Sequence, residues 1–325
     1  MKKSLLALAV LGAFASAASA QSSVTLSGRL DAGVIRSNGQ YSLGGSQSGY
    51  NAFSLSGTED LGGGMRAFFL LNHRFKIENG AINTGGNASG TPGQFWRNSW
   101  VGLGGGFGDV RLGRILMPLQ DVNGGYDAFD TGTVGQAHTG GIGATVRANS
   151  AIYYRTPNLG GLFAHAAIAA GEGQLTTATT NPNSERPIGF AVGYAAGPLS
   201  MAVAYDKNAL DRKTIGLYGK YNFGVATLLG QYENGDTSAT TKTKAMSVSV
   251  SVPMGTGRVM AGYTRFDPTV GKTVTKVGFG GEYGLSKRTL LYADVGKSNG
   301  GLGLSGVALE NAKKAQFDLG VRHAF

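Results

Sequence analysis

Four histidines, no cysteine and a scatter of arginines are the groups with which this 325-residue chain could do chemistry. Covalent catalysis needs a nucleophile with a base held beside it. His73, His138, His165 and His323 sit in no recognisable nucleophile motif, and alternation puts His73 and His323 on apolar faces. Without cysteine there is no thiolate metal site and no disulfide scaffold. Two glycine patterns fail for want of context. Gly301-Leu-Gly-Leu-Ser-Gly306 has dinucleotide-loop spacing but no βαβ unit around it, and Gly271-Lys272-Thr273 ends like a phosphate loop whose first glycine is replaced by Phe266. The arginines behave differently. Arg66, Asn72, Arg74 and Lys76 recur at even spacing, Arg97 alternates with Ser99, and Arg147, Asn149, Tyr153 and Arg155 share a period-two face. In a strand such rows place cations side by side on one surface. Fixed positive charge in a low-dielectric wall attracts anions without any bond being made. The chemistry expected is electrostatic; neither catalysis nor a cofactor is implied.

Elements of period two must hold these rows, and the last eleven residues show the pattern cleanly. Phe317, Leu319, Val321, His323 and Phe325 fall on one face; Gln316, Asp318, Gly320, Arg322 and Ala324 fall on the other. An apolar face opposite a charged one suits a strand with lipid on one side and water on the other. Its free edge needs a partner, because unpaired backbone cannot sit in hydrocarbon. The segment Val24–Val34 has the same pattern, with Val24, Leu26, Leu30 and Val34 opposite Thr25, Ser27, Arg29 and Asp31. Pairing these two ends would close a barrel.

Met1–Ala20 reads as a signal peptide: a basic start at Lys2 and Lys3, an apolar centre, and the small-residue site Ala18-Ser-Ala20. Its removal lowers the net charge from +10 to +8. No later apolar run is long enough for a spanning helix. Basic residues are dispersed rather than clustered, which argues against a nucleic-acid partner. Glycine contributes 55 residues, too many for helix but suited to turns and a curved sheet.

Short turns at 60–65, 104–109, 157–161, 196–198, 222–224, 253–257 and 283–286 alternate with polar insertions near 37–48, 79–92, 115–146, 172–186, 206–211, 235–241, 268–272 and 299–314. Seven turns and eight loops imply an all-β, sixteen-stranded antiparallel transmembrane β-barrel over 21–325, with both termini on one side. A barrel so wide encloses water. A soluble sandwich would not expose apolar faces at both ends of its chain. The insertion 115–146 is the longest, and a loop of that length is expected to serve function. Folded inward, it would narrow the pore.

Several blocks in order resemble the general porins of β-proteobacterial outer membranes. They are Ser22-Ser-Val-Thr-Leu-Ser-Gly28, Gly57-Thr-Glu-Asp-Leu-Gly-Gly-Gly64, Gly108-Asp-Val-Arg-Leu-Gly-Arg114, Arg147-Ala-Asn-Ser150 and Gly320-Val-Arg-His-Ala-Phe325. Tyr126-Asp-Ala-Phe129 and Leu285-Ser-Lys-Arg288 extend the match. The resemblance implies a homotrimer in the outer membrane, in contact with lipid and lipopolysaccharide, with periplasmic termini and a third loop folded into each channel. It implies a wall of arginines facing loop acids at the constriction. Arg97 and Arg147 fall at two wall positions; Ala52 occupies the third, with Arg74 and Lys76 near enough to compensate. Asp121 and Asp127 are the loop acids it suggests, Asn72, Arg66, Arg29 and Arg155 further lumen-lining residues, Arg114 a subunit contact and Phe325 the terminal insertion signature. The function implied is passive diffusion of small hydrophilic solutes and inorganic ions, with anions preferred. A channel specific for phosphate or a dicarboxylate, and a plugged structural barrel, are the alternatives.

Overall fold

The computed structural model describes residues 23–37, 39–44, 51–83, 95–130, 132–170, 185–300 and 315–325. The expected signal peptide and most of the loops near 79–92, 172–186 and 299–314 lie outside the described residues. Alternating apolar and polar residues give strands β1 (Ser23–Ser37), β2 (Gln40–Gly44), β3 (Ala52–Gly62), β4 (Met65–Arg74), β5 (Trp96–Gly105) and β6 (Gly108–Leu116). Then come β7 (Arg147–Arg155), β8 (Leu162–Ala169), β9 (Ile188–Ala196), β10 (Leu199–Lys207), β11 (Lys213–Asn222) and β12 (Thr227–Asp236). The last are β13 (Lys242–Met254), β14 (Gly257–Pro268), β15 (Val274–Gly284), β16 (Thr289–Ser298) and β17 (Gln316–Ala324). They form one antiparallel sheet that closes on itself through β1 and β17.

Seventeen segments fill sixteen barrel positions. β2 and β3 lie end to end against β1: Gly33–Ser37 pairs with β2, and Ser23–Arg29 pairs with β3. The insertion expected near 37–48 therefore contains a strand. The short turns fall where the sequence placed them, between β3 and β4, β5 and β6, and so on to β15 and β16.

Two environments explain the alternation. Val24, Leu26, Leu319, Val321 and Phe325 are exposed on the outer face, while Asp31 and Asp318, on the inner face, are buried. No helix among the described residues is long and apolar enough to cross a membrane.

The seam is drawn tight at its lower end. Phe325 N–H donates to Gly28 O at 3.0 Å, and Gly28 N–H donates to Phe325 O at 2.9 Å. A side chain at Gly28 would overlap the Phe325 ring, which explains why glycine stands there. Deleting Phe325 removes both bonds and unpairs the edge. The expected outcome is a lower yield of folded barrel on refolding into detergent, read as loss of the compact, fast-migrating gel band.

Besides a register shift at the β3–β4 turn, between Asp60 and Gly62, two bulges interrupt the period-two pattern. Between β4 and β5 the register passes from Asn72↔Asn98 to His73↔Trp96, leaving Arg97 as the extra residue. Between β6 and β7 it passes from Gly113↔Ala151 to Ile115↔Ala148, where Ser150 has φ 49°. A bulge adds one residue to one strand and so exchanges the faces beyond it.

Candidate functional site

The longest insertion lies inside the barrel. It opens with α1 (Pro118–Asn123), whose proline stands in the first turn, and continues into a single 3-10 turn, Gly124–Tyr126. Leu119, Val122 and Tyr126 bury against Ala191, Ala202, Ala204 and Tyr218. These are inner-face positions of β9, β10 and β11, and their mostly small side chains leave room for the helix.

Beyond α1, polar groups of the inner wall hold the loop. Ile142 N–H donates to Glu233 Oε2 at 2.9 Å, and Thr139 Oγ1 donates to Gln231 Oε1 at 2.6 Å. Thr145 N–H donates to Asp206 Oδ1 at 2.8 Å, Ala128 N–H to Ser249 Oγ at 3.1 Å, and Val134 N–H to Asp318 Oδ2 at 3.1 Å. The acids of β10, β12 and β17 thus satisfy backbone donors of a buried loop that has little regular structure of its own. Gly278 and Gly296 let it lie flat, because a Cβ at either would overlap the carbonyls of Gly135 and Val134.

The opposite side of the lumen is basic. Arg29 pairs with Ala52 and Ala52 with Arg74, so the gap at Ala52 is flanked in register by two arginines on the inner face. On the same face Asn72 donates to Ser54 Oγ at 2.9 Å. Arg147 Nε donates to Asn98 Oδ1 at 2.7 Å, and Asn98 shares the inner face with Trp100. Nearer the short turns, Arg111 lies 4.9 Å from the Trp100 ring centroid and 5.5 Å from that of Tyr153. Arg66 pairs with Asp109, and Arg155 Nε reaches His165 Nε2 at 3.1 Å.

Several expectations need correction. Ser99 does not mark the lumen side of β5: it pairs with Leu71 and Arg114 on the outer side, and Arg97 is the extra residue of the bulge between inner Asn98 and outer Trp96. Nor is the row from Arg147 to Arg155 continuous. Ala148, not Arg147, is in step with Ala151 and Tyr153, and Asn149 is bonded to Arg114 instead. Lys76 lies beyond β4 in a small turn, where its N–H donates to Ala81 O at 2.7 Å.

The two loop acids do not face the arginine wall as a pair. Asp127 is 3 % exposed, and its Oδ1 accepts from the N–H groups of Phe129 and Ala137, each at 3.2 Å. Burial pushes its carboxyl pKa up, against the opposing pull of His138 and those N–H donors. Its role is to shape the loop. Asp121 accepts from Tyr153 Oη at 2.8 Å and lies 3.5 Å from His165 Nδ1. A third acid, Asp130, pairs with Arg258 at 2.7 Å. Sequence reasoning passed over Arg111, Asn98, Gln231 and Glu233. Parity alone would have put the last two inside, because Leu228 and Tyr232 mark the outer face of β12.

Known proteins carry the same architecture. A family model described as Gram-negative porin matches residues 7–301. Outer membrane porin protein 32 of Delftia acidovorans is 38 % identical over the full length of both chains. An outer membrane porin protein of Bordetella pertussis is 29 % identical, again over both full lengths. Among solved structures, an anion-selective porin from Comamonas acidovorans superposes with a TM-score of 0.78 at 34 % identity, covering 94 % of this chain and 100 % of that one.

Proposed function

The chain belongs to the Gram-negative porin family and forms a passive channel of the outer membrane, not an enzyme; on that premise we propose that its channel prefers anions. One observation carries the reading. The inner-wall acids of β10, β12 and β17 face backbone N–H groups of the loop, while Arg29 on β1 and Arg74 on β4 flank Ala52 on the inner face and Arg147 reaches inner-face Asn98. The loop acids stand apart from these arginines, Asp127 buried within the loop and Asp130 paired with Arg258, so positive charge is left facing the passage on the arginine side. Positive charge on a low-dielectric wall lowers the barrier for anions and raises it for cations. The resemblance to an anion-selective porin points the same way.

In planar bilayers under a salt gradient, the zero-current potential is expected to take the sign of an anion-preferring channel. A clear cation preference overturns the proposal. Saturable block by phosphate or a dicarboxylate would favour a substrate-specific channel instead.

The proposed assembly is a homotrimer. Arg114 supports it, lying on the outer face in the register of Ser99 and hydrogen-bonded to Asn149. A guanidinium facing hydrocarbon is costly, so a neighbouring subunit is the natural cover. At the end of the barrel away from the short turns, Lys213, Lys244 and Arg265 stand on the outer face, in reach of lipopolysaccharide phosphates in the proposed orientation with periplasmic termini.

A further inference from the structure

Below the loop, on the side of the short turns, lies a concavity of about 390 Å³ lined by Asp121, Tyr126, Arg155, Asn158, Phe163 and His165. Its volume falls within the range of small-molecule sites. Two charges of opposite sign line it, one on α1 and one at the end of β7, and each touches the same imidazole from a different side. Arg155 Nε donates to His165 Nε2 at 3.1 Å, which leaves the imidazole proton on Nδ1, 3.5 Å from Asp121 Oδ2. The ring, itself 5 % exposed, is a fixed neutral spacer between carboxylate and guanidinium. The Asp121 side chain remains 31 % exposed, and Arg155 is exposed as well. Beside the charges lie Val122, Phe163 and the Tyr126 ring.

We propose that this concavity is a binding subsite for a zwitterion of the α-amino-acid class with an apolar or aromatic side chain. The solute's carboxylate meets Arg155, its ammonium meets Asp121, and its side chain lies against Phe163 and Tyr126. A guanidinium and a carboxylate held apart match a solute whose own two charges are a few ångströms apart. A simple anion would satisfy only one of them. The subsite rests on the channel reading, since solutes reach it through the lumen.

The test is single-channel current in a planar bilayer with L-phenylalanine as the probe, against 3-phenylpropanoate, which lacks the ammonium, and phenethylamine, which lacks the carboxylate. Phenylalanine is expected to give a saturable partial block, with half-effect at a concentration at least tenfold below that of either analogue. Arg155→Gln is expected to abolish the block by phenylalanine, and Asp121→Asn to erase the discrimination between phenylalanine and 3-phenylpropanoate. Circular dichroism and residual conductance establish that each variant is a folded, open barrel. Equal block by all three solutes, block that survives Arg155→Gln, or no block in a conducting channel overturns the subsite alone. A wild-type barrel with no conductance would instead overturn the channel reading.

Discussion

Replacing Arg74 and Arg147 together by alanine is expected to cut the anion-to-cation permeability ratio by about an order of magnitude. A unit charge about 8 Å from a passing ion contributes roughly 1–2 kcal/mol at an effective dielectric of about 20–40, and each 1.4 kcal/mol is about tenfold. Arg74 stands on the inner face beside Ala52, and Arg147 reaches inner-face Asn98. Neither alanine disturbs a strand pairing, so the barrel should form and conduct. The zero-current potential under a salt gradient reads the change directly, and the effect should shrink as ionic strength rises and screening shortens. Arg97→Ala alone is the informative comparison. If the bulge aims Arg97 inward, its loss shifts the potential in the same direction; if it aims Arg97 outward, the potential stays at the wild-type value. An unchanged ratio in the double variant would move the seat of selectivity nearer the short turns, to Arg66, Arg111 and Arg155.

The difference between Arg74 and Arg97 shows where a sequence stops being readable. Alternation is a local property, set by backbone geometry and by lipid on one side and water on the other, so β1 and β17 could be read residue by residue. The face of Arg74 follows from the same rule, because β3 and β4 pair without interruption from Asp60↔Arg66 up to Ala52↔Arg74. Arg97 and Arg147 lie at or next to bulges. One extra residue inverts the parity beyond it, and nothing in Trp96-Arg-Asn-Ser99 or Arg147-Ala-Asn-Ser150 announces it. The loop was harder still. Its length marked it as functional, but Asp121, Asp127 and Asp130 have the same composition and opposite fates: one beside the lumen concavity, one buried, one paired with Arg258. What separates them is the wall each meets, and those partners lie on strands far along the chain.

Glu233→Ala is expected to release that loop. Glu233 is fully buried, and its carboxylate accepts from Ile142 N–H at 2.9 Å, Tyr218 Oη at 2.8 Å and Asn123 Nδ2 at 3.4 Å. It thus ties both ends of the loop, α1 and the stretch before β7, to β12. Alanine leaves a buried N–H, a phenol and an amide without their acceptor, at about 1–3 kcal/mol for each group that water does not reach. A loss of about 3–5 kcal/mol is of the size that separates a docked loop from one that spends measurable time undocked. The strands keep their own ladders, so the barrel should survive while its constriction does not. Single-channel records are expected to show rapid flicker and a raised mean conductance, and proteoliposomes should swell in sugars too large for the wild type. Glu233→Gln keeps an acceptor for Ile142 and should show a smaller effect of the same kind. If Glu233→Ala keeps the wild-type conductance and size limit, the anchors at Gln231, Asp206 and Asp318 hold the loop without it, and the constriction is set by the whole ring of wall groups rather than by this carboxylate.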